Sequence, residues 1–329
     1  MITRTAIPAG PLGGRVLNCI EAATLAPSVH NSQPWRFTVH GGDRIDVWVD
    51  CDGTPSVIDP DGREAYIGVG AAIFNLRVAI LAAGRTPLTR LLPEPHEPRL
   101  AARITVGPPH TVDMTVRALA SAIAKRRTNR RPFRNIEVRE EVLEQLQIAA
   151  RTEGARLAIA DSTGRLALLG LIRTANEWQH GDPAYLAELA AWVGGSERNV
   201  GVPNNSIGPV DPHEAVPLRD FGAADPGMPR RTSQFEPAPT LAVLYTAGDT
   251  VSDWLHAGQA LQRVLLTATV RGVANTPITA PTELPNLREL LGDPEIPRAA
   301  QVILRLGYGD PVPPTPRRPL AEVVSMTDE

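Results

Sequence analysis

Apolar residues recur along this chain with a period that changes from segment to segment. Over 14–25, Val16, Leu17, Ile20, Ala23 and Thr24 fall on one helical stripe, and Pro27 ends it. Two runs at 35–39 and 44–50, joined by His40-Gly41-Gly42-Asp43, predict a β-hairpin. From 65 to 83 small and apolar residues occupy every face, which predicts a buried central helix with Gly84 as its C-cap. A strand is expected at 102–106. The chain then starts again, with helices expected at 114–125, 138–150, 162–178, 183–193, 252–271 and 284–291. Strands are expected at 156–159, 240–246 and 300–307. The stretch from about 194 to 239 and the C-terminal tail are rich in turn-forming residues and read as loops.

The pattern contains a weak internal repeat. VLNCIEAAT at 16–24 is similar to VLEQLQIAA at 142–150, and the helix from Gly70 to Gly84 is similar to that from Gly258 to Gly272. The strand behind Ala101-Ala102 matches the one behind Ala299-Ala300. Order is kept, and the spacing between matches jumps after the first. That places an insertion in the second half, with about 180–239 as its location. Chance likeness between short Ala/Leu-rich helices is the alternative.

Composition sharpens this picture. The 329 residues include 32 prolines, far above the usual share, so turns and helix boundaries are numerous. Aromatics are 4%, so aliphatic side chains must fill the core. A net charge of −3 gives no reason to expect a nucleic-acid or anionic-membrane partner. Cys19 and Cys51 fit no disulfide framework or metal spacing. The N-terminal MITRTAIPAGPLGG lacks the apolar core of a signal peptide. The apolar stretch 71–83, broken by Asn75 and Arg77, is too short to span a bilayer. A soluble, cytoplasmic protein is expected.

Four segments hold candidate chemistry. Ala26-Pro27-Ser28-Val29-His30-Asn31-Ser32-Gln33-Pro34-Trp35 sets hydroxyls, amides and an imidazole on a loop pinned by two prolines. Such a loop suits a polar ligand, or is a helix-to-strand turn whose Ser and Asn satisfy local backbone. Lys125–Arg131 holds four arginines and a lysine around Thr128 and Asn129. Arginine forks match phosphate oxygens, although a solvated charge run is the usual reading of such a segment. No aromatic stacking platform accompanies it, as RNA recognition would require. Asn275-Thr276-Pro277-Ile278-Thr279-Ala280-Pro281 reads as a rigid loop with free N–H groups at Ile278, Thr279 and Ala280, or as a plain turn. Pro311–Pro319 is a stiff, extended segment presenting Arg317 and Arg318. GxGxxG, P-loop, HExxH and GxSxG motifs are absent, so any hard chemistry points to a cofactor rather than a protein nucleophile.

Taken together, these residues resemble the nitroreductase superfamily. APSVHNSQPWRF resembles its flavin loop, Arg126-Arg127-Thr128-Asn129-Arg130 its basic FMN-binding segment, Thr276–Ala280 its loop facing flavin N5, and Arg317-Arg318-Pro319 its C-terminal phosphate-binding segment. Ordinary members place the basic segment first and form homodimers with FMN at the interface. Here the order is reversed, an arrangement that resembles the Acg-like relatives of mycobacteria and other actinobacteria.

The resemblance implies an α+β fold of two tandem nitroreductase-like α/β halves, 1–113 and 114–329, joined as an intrachain pseudo-dimer. It also implies a lid insertion at about 180–239, one FMN per chain, and a monomer, with a homodimer as the alternative. The implied cofactor-binding residues are Pro27, Ser28, His30, Asn31, Gln33, Arg126, Arg127, Thr128, Arg130, Pro277, Ile278, Thr279, Ala280, Arg317 and Arg318; no catalytic residue is assigned. The implied activity is an NAD(P)H-dependent flavin oxidoreductase that passes hydride through N5 to a nitroaromatic, quinone or other small-molecule electron acceptor. The alternatives are a non-catalytic FMN storage protein closed by its lid, and an interaction module built on Arg126–Arg131.

Overall fold

A computed structural model describes residues 13–194, 199–225, 227, 229–292 and 298–327. The N-terminal reading at 1–12 lies outside the described residues.

The first half runs α1 (Gly13–Thr24), β1 (Trp35–His40), β2 (Arg44–Val49), α2 (Arg63–Ala82), β3 (Arg85–Leu91) and β4 (Leu100–Pro109). The second runs α3 (Met114–Ile123), α4 (Glu140–Thr152), β5 (Arg156–Ile159), α5 (Ser162–His180), α6 (Pro183–Trp192), β6 (Thr240–Thr246), α7 (Val251–Val270) and β7 (Ala274–Ile278). It closes with α8 (Ala280–Glu283), α9 (Pro285–Glu289), β8 (Ala299–Gly307), α10 (Leu320–Val323) and β9 (Val324–Thr327). The fold is α+β. One sheet has the order β3-β4-β2-β1-β9 and the other β5-β6-β8-β7.

The β1–β2 hairpin turns at Gly41 and Gly42, both at positive φ, which glycine adopts without strain. The aliphatic and aromatic faces of β1, β2 and β4 pack on α1 and α2 around Trp35, Phe37, Ile45 and Val47. The second sheet packs on α4 and α7 around Leu146, Leu157, Leu244 and Leu304.

Helices α2 and α7 form the centre. A Cβ on Gly258 would come within 2.0 Å of the Ile67 carbonyl oxygen, and one on Gly70 within 2.4 Å of the Leu255 carbonyl oxygen. Each glycine therefore meets the carbonyl three residues before the other glycine. These are the two glycines that the repeat pairs. Gln262 donates to Asn75 across the same crossing at 2.7 Å. Helix α2 is 20 residues long and apolar enough by composition to cross a bilayer, longer than the 71–83 stretch suggests. It is 78% buried inside the protein and serves as its core helix.

Two expectations need correction, and one strand was not expected. Asn275–Ile278 is not a loop but belongs to β7, which pairs with β8; Ile278 is buried in that ladder rather than free. Pro277 is tolerated there because β7 is an edge strand, whose outward positions need no N–H. The segment at 85–91 is strand β3, hidden in the sequence by Pro87 and its polar neighbours. The C-terminal tail does not stay extended. It forms α10 and then β9, which pairs parallel with β1 from Phe37↔Val324 to His40↔Thr327, so the chain's end completes the first half's sheet.

Candidate functional site

The loop after α1 is built under strain. His30, Asn31 and Gln33 all hold positive φ, at 45°, 57° and 56°. Non-glycine residues persist there only where the surroundings over-determine them. Here they do. Ser28 Oγ accepts from the Gln33 N–H at 2.9 Å, and Asn31 Nδ2 donates to the Gly201 and Pro316 carbonyls. Arg317 then ties the loop to the end of α1. Its guanidinium donates to the carbonyls of Thr24, Leu25 and Ala26 and to Asn31 Oδ1. The Thr24 carbonyl is one that the helix C-terminus leaves without a partner, and those of Leu25 and Ala26 follow it directly.

Arg126 reaches the same place and donates to the Leu25 carbonyl at 3.3 Å. Its Nε and Nη1 are buried and have no partner among the described residues. Burial and the neighbouring Arg317 and Arg127 cations push Arg126 down to about 9. Burial and Arg127 push Arg317 down to about 10. Among the described residues, Arg127 donates only to the Arg126 carbonyl, and its Nε has no partner. Among the described residues, no carboxylate pairs with any of the three. The cluster is thus a set of desolvated cations shaped for an anion.

Two adjoining clefts share Pro27, Ser28, Thr128 and Arg130 as a common wall. The smaller, about 450 Å³ of empty space, is lined by the arginine cluster with Asn31 and Thr315. The larger, about 890 Å³ including its mouth, is lined by Ile67, Gly68, Leu261 and Val302, by Thr276 through Ala280, and by the Pro27–His30 turn. That size and its mixture of apolar walls with a few polar groups suit a bound organic molecule. Thr128 is brought against the cavity by a β-bridge to Asn275, reinforced by the Asn129 N–H to the Asn275 carbonyl.

Of the sequence-predicted residues, Pro27, Ser28, His30, Asn31, Arg126, Arg127, Thr128, Arg130, Pro277, Ile278, Thr279, Ala280 and Arg317 line one or both clefts. Gln33 and Arg318 do not. Gln33 is fully buried, with Oε1 accepting from the Arg318 N–H and Nε2 donating to the Asn199 carbonyl. It joins loop to tail. The Arg318 side chain lies near Gly53 on the first half's side.

Three residues that the sequence did not single out line the cavity, Glu64, Arg219 and Phe221, and a fourth, Glu283, stands behind Arg219 and Thr279. Arg219 and Phe221 come from the segment between α6 and β6, Glu64 from the first turn of α2, and Glu283 from α8. Arg219 Nη2 contacts both carboxylate oxygens of Glu283 at 2.5 Å, while its Nη1 lies 2.7 Å from His30 Nε2. Thr279 Oγ1 and Gln179 Nε2 also donate to Glu283. A guanidinium only donates, so His30 accepts at Nε2 and carries its proton at Nδ1. Nδ1 has no partner among the described residues. Burial, then Arg219 and Arg130, hold His30 well below its usual 6.5. Despite burial, Glu283 holds Arg219 above its ordinary range. Phe221 stands edge-on to His30 at 5.4 Å, and the Arg130 guanidinium lies 4.6 Å from the Phe221 ring centre.

No protein-family model matches the chain. Its curated relatives are mycobacterial. The Mycobacterium tuberculosis protein "Putative NAD(P)H nitroreductase acg" is 32% identical over 317 residues, covering 94% of each chain. "Putative NAD(P)H nitroreductase Rv3131" of the same organism is 34% identical over 328 residues, covering 95% of this chain and 92% of its own. The chain belongs to this Acg-like nitroreductase family. Among solved structures, the FMN-dependent nitroreductase NfnB from Mycobacterium smegmatis in complex with NADPH is 18% identical over 64% of this chain and 98% of its own, with a TM-score of 0.41.

Proposed function

We propose that the chain is an FMN-binding NAD(P)H oxidoreductase of the nitroreductase type, with one flavin site per chain. The observation that carries this reading is the cluster of buried Arg126 with half-buried Arg127 and Arg317, which no carboxylate among the described residues pairs, next to an organic-sized cavity. The donor set fits a phosphate monoester. Arg126 has two guanidinium nitrogens without acceptors, and each charge-assisted bond to phosphate would relieve its desolvation.

In this reading Arg126, Arg127, Thr128, Asn31 and Arg317 hold the phosphate. Pro27, Ser28, His30, Arg130 and Pro277 through Ala280 surround the ring. When bound, FMN supplies two-electron transfer between NAD(P)H and a small acceptor such as a nitroaromatic or quinone. Arg130 places positive charge in the cavity, where it favours an anionic ring. His30, neutral and tied to Arg219, offers a hydrogen bond rather than a proton.

The symmetric Gly70–Gly258 crossing supports reading the molecule as an intrachain pseudo-dimer of halves 1–113 and 114–329. Segment 180–239 acts as a lid in this reading. It is stitched to the flavin loop through Gly201 and Asn199, and to the basic segment through the Ser206 carbonyl, which accepts from Arg130. The chain works as a monomer in the cytoplasm.

The flavin spectrum tests the proposal. Purified protein supplied with FMN should hold it at equimolar ratio through gel filtration, and anaerobic NADH or NADPH should bleach it within seconds. A chain that holds no FMN refutes the reading. FMN that binds but is not bleached over minutes favours the second reading, flavin storage. That reading draws on one observation: Leu218, Arg219 and Phe221 of the insertion wall the cavity that a hydride donor would have to enter.

A further inference from the structure

Two carboxyl side chains are buried together beside the large cavity, and their partners differ. Glu283, with a side chain only 1% exposed, receives donors from Arg219, Thr279 and Gln179. Glu64, also buried, receives one, from Arg63 Nη2 to Oε1 at 3.1 Å. That donor is shared, because Arg63 Nη2 also donates to Thr282 while Nη1 donates to Gln301. Glu64 Oε2 takes part in no hydrogen bond among the described residues, and the side chain lines the cavity.

The backbone does not rescue Glu64 either. It sits in the first turn of α2, where N–H groups favour a carboxylate. Those of Glu64 and Ala65 are already taken by Asp59 Oδ1 and Oδ2 at 2.9 Å. Asp59 is therefore a second negative neighbour rather than a relief. The charged groups facing Glu64 are then Arg63 on its own helix, Asp59 before it, Glu283 on α8 and Arg219 from the insertion. Two clustered buried carboxyls do not both ionise when one collects the donors. Burial, then Glu283, hold Glu64 well above the usual 4.5, against the pull of Arg63.

We propose that Glu64 is the proton donor of this cavity and protonates the electron acceptor as hydride reaches it. This rests on the flavin oxidoreductase reading above. For a quinone acceptor the step balances. The quinone gains a hydride, carrying two electrons, from the reduced flavin, and a proton from Glu64. It leaves as the hydroquinone. Glu64 becomes a carboxylate and regains its proton from solvent, and the flavin is left oxidised. Neither His30, neutral with Nε2 occupied, nor Glu283, ringed by donors, offers that proton.

The test uses wild type, Glu64→Gln and Glu64→Asp. The first readout needs no flavin. The infrared difference between wild type and Glu64→Gln at pH 7 should show the carbonyl stretch of a protonated carboxyl, shifting in D₂O. Its absence overturns the proposal whether or not the chain binds FMN. The second readout uses the FMN-loaded protein reduced with dithionite and mixed with a quinone. Glu64→Gln should bind FMN as wild type does, yet reoxidise on the order of 100-fold more slowly, the range a general acid supplies. Glu64→Asp should recover part of the rate. Unchanged reoxidation in Glu64→Gln overturns the proposal. A wild-type chain that binds no FMN instead defeats the flavin reading, and the infrared result then decides Glu64's protonation alone.

Discussion

The two ends of the site use the same residue type in opposite ways. At one end Arg126, Arg127 and Arg317 are crowded together, desolvated and without a carboxylate. At the other, Arg219 is equally enclosed but holds Glu283 with both oxygens. A buried cation with its partner in the chain is part of the architecture. A buried cation without one has its partner elsewhere. The energetic consequence is opposite in sign. Removing a paired arginine leaves an uncompensated buried charge behind, whereas removing an unpaired one takes such a charge away.

The largest effect should come from Arg219→Ala. Glu283 would keep its Thr279 and Gln179 donors but lose its cation at a site where both partners are buried. Breaking such a pair costs about 3–5 kcal/mol. A lower melting temperature for the flavin-free variant is the expected outcome. A chain as stable as wild type would mean that the segment between α6 and β6 does not fasten the cavity through this pair.

Next comes Arg126→Ala. Here flavin-free stability should hold or rise slightly, while FMN binding weakens by about 1.5–3 kcal/mol, roughly ten- to hundredfold. Isothermal titration measures the affinity and thermal melting the stability. The contrast with Arg219 fails if Arg126→Ala unfolds the chain and leaves affinity intact. Inorganic phosphate should raise the melting temperature of the flavin-free wild type and do so less in the variant. Arg317→Ala is less clean, since that side chain also ties down the carbonyls at the end of α1.

The distinction between these ends was only half legible in the sequence. The unpaired arginines were visible because their chemistry is local: they crowd into 126–130 and 317 around prolines. The buried central helix was equally visible, because α2 is apolar on every face. The paired end was not. Arg219, Glu283 and Glu64 lie in three distant segments and meet only when α8 and the segment between α6 and β6 fold over the N-terminus of α2. One signal was available: Arg63-Glu64 stands directly ahead of an apolar helix, where no solvent waits for its charges. The missed strands have their own reason. β3, β7 and β9 are all sheet edges, where one side needs no partner and proline and polar residues blur the alternation. The residue Pro277 made β7 read as a loop for that reason.

His30 joins the two ends and gives a pH-dependent effect. Its folded-state pKa lies well below 6.5, while in the unfolded chain it takes a proton near that value. Below about pH 6.5 the unfolded state therefore binds more protons, and stability falls as pH falls, by on the order of 1.4 kcal/mol per pH unit. Denaturant melts of wild type and His30→Asn between pH 7 and 5 should diverge by this slope, with asparagine chosen because it tolerates the left-handed backbone. Parallel curves would mean that His30 takes up its proton in the folded chain after all.

The smallest effect separates two neighbours that sequence alone treats as a pair. Arg317 and Arg318 are adjacent, yet only Arg317 lines the cleft. What Arg318 contributes near the site is its backbone N–H, which donates to Gln33 Oε1 at 2.8 Å and survives truncation of the side chain. Burial and the nearby Arg36 lower its pKa, while Asp50 and Glu322 raise it, so its charge is answered on the outer face of the first half rather than by a ligand. Arg318→Ala should change FMN affinity by less than about 0.5 kcal/mol, as surface substitutions away from such features do. A tenfold loss in titration would place its guanidinium on the phosphate and move the boundary of the unpaired cluster outward by one residue.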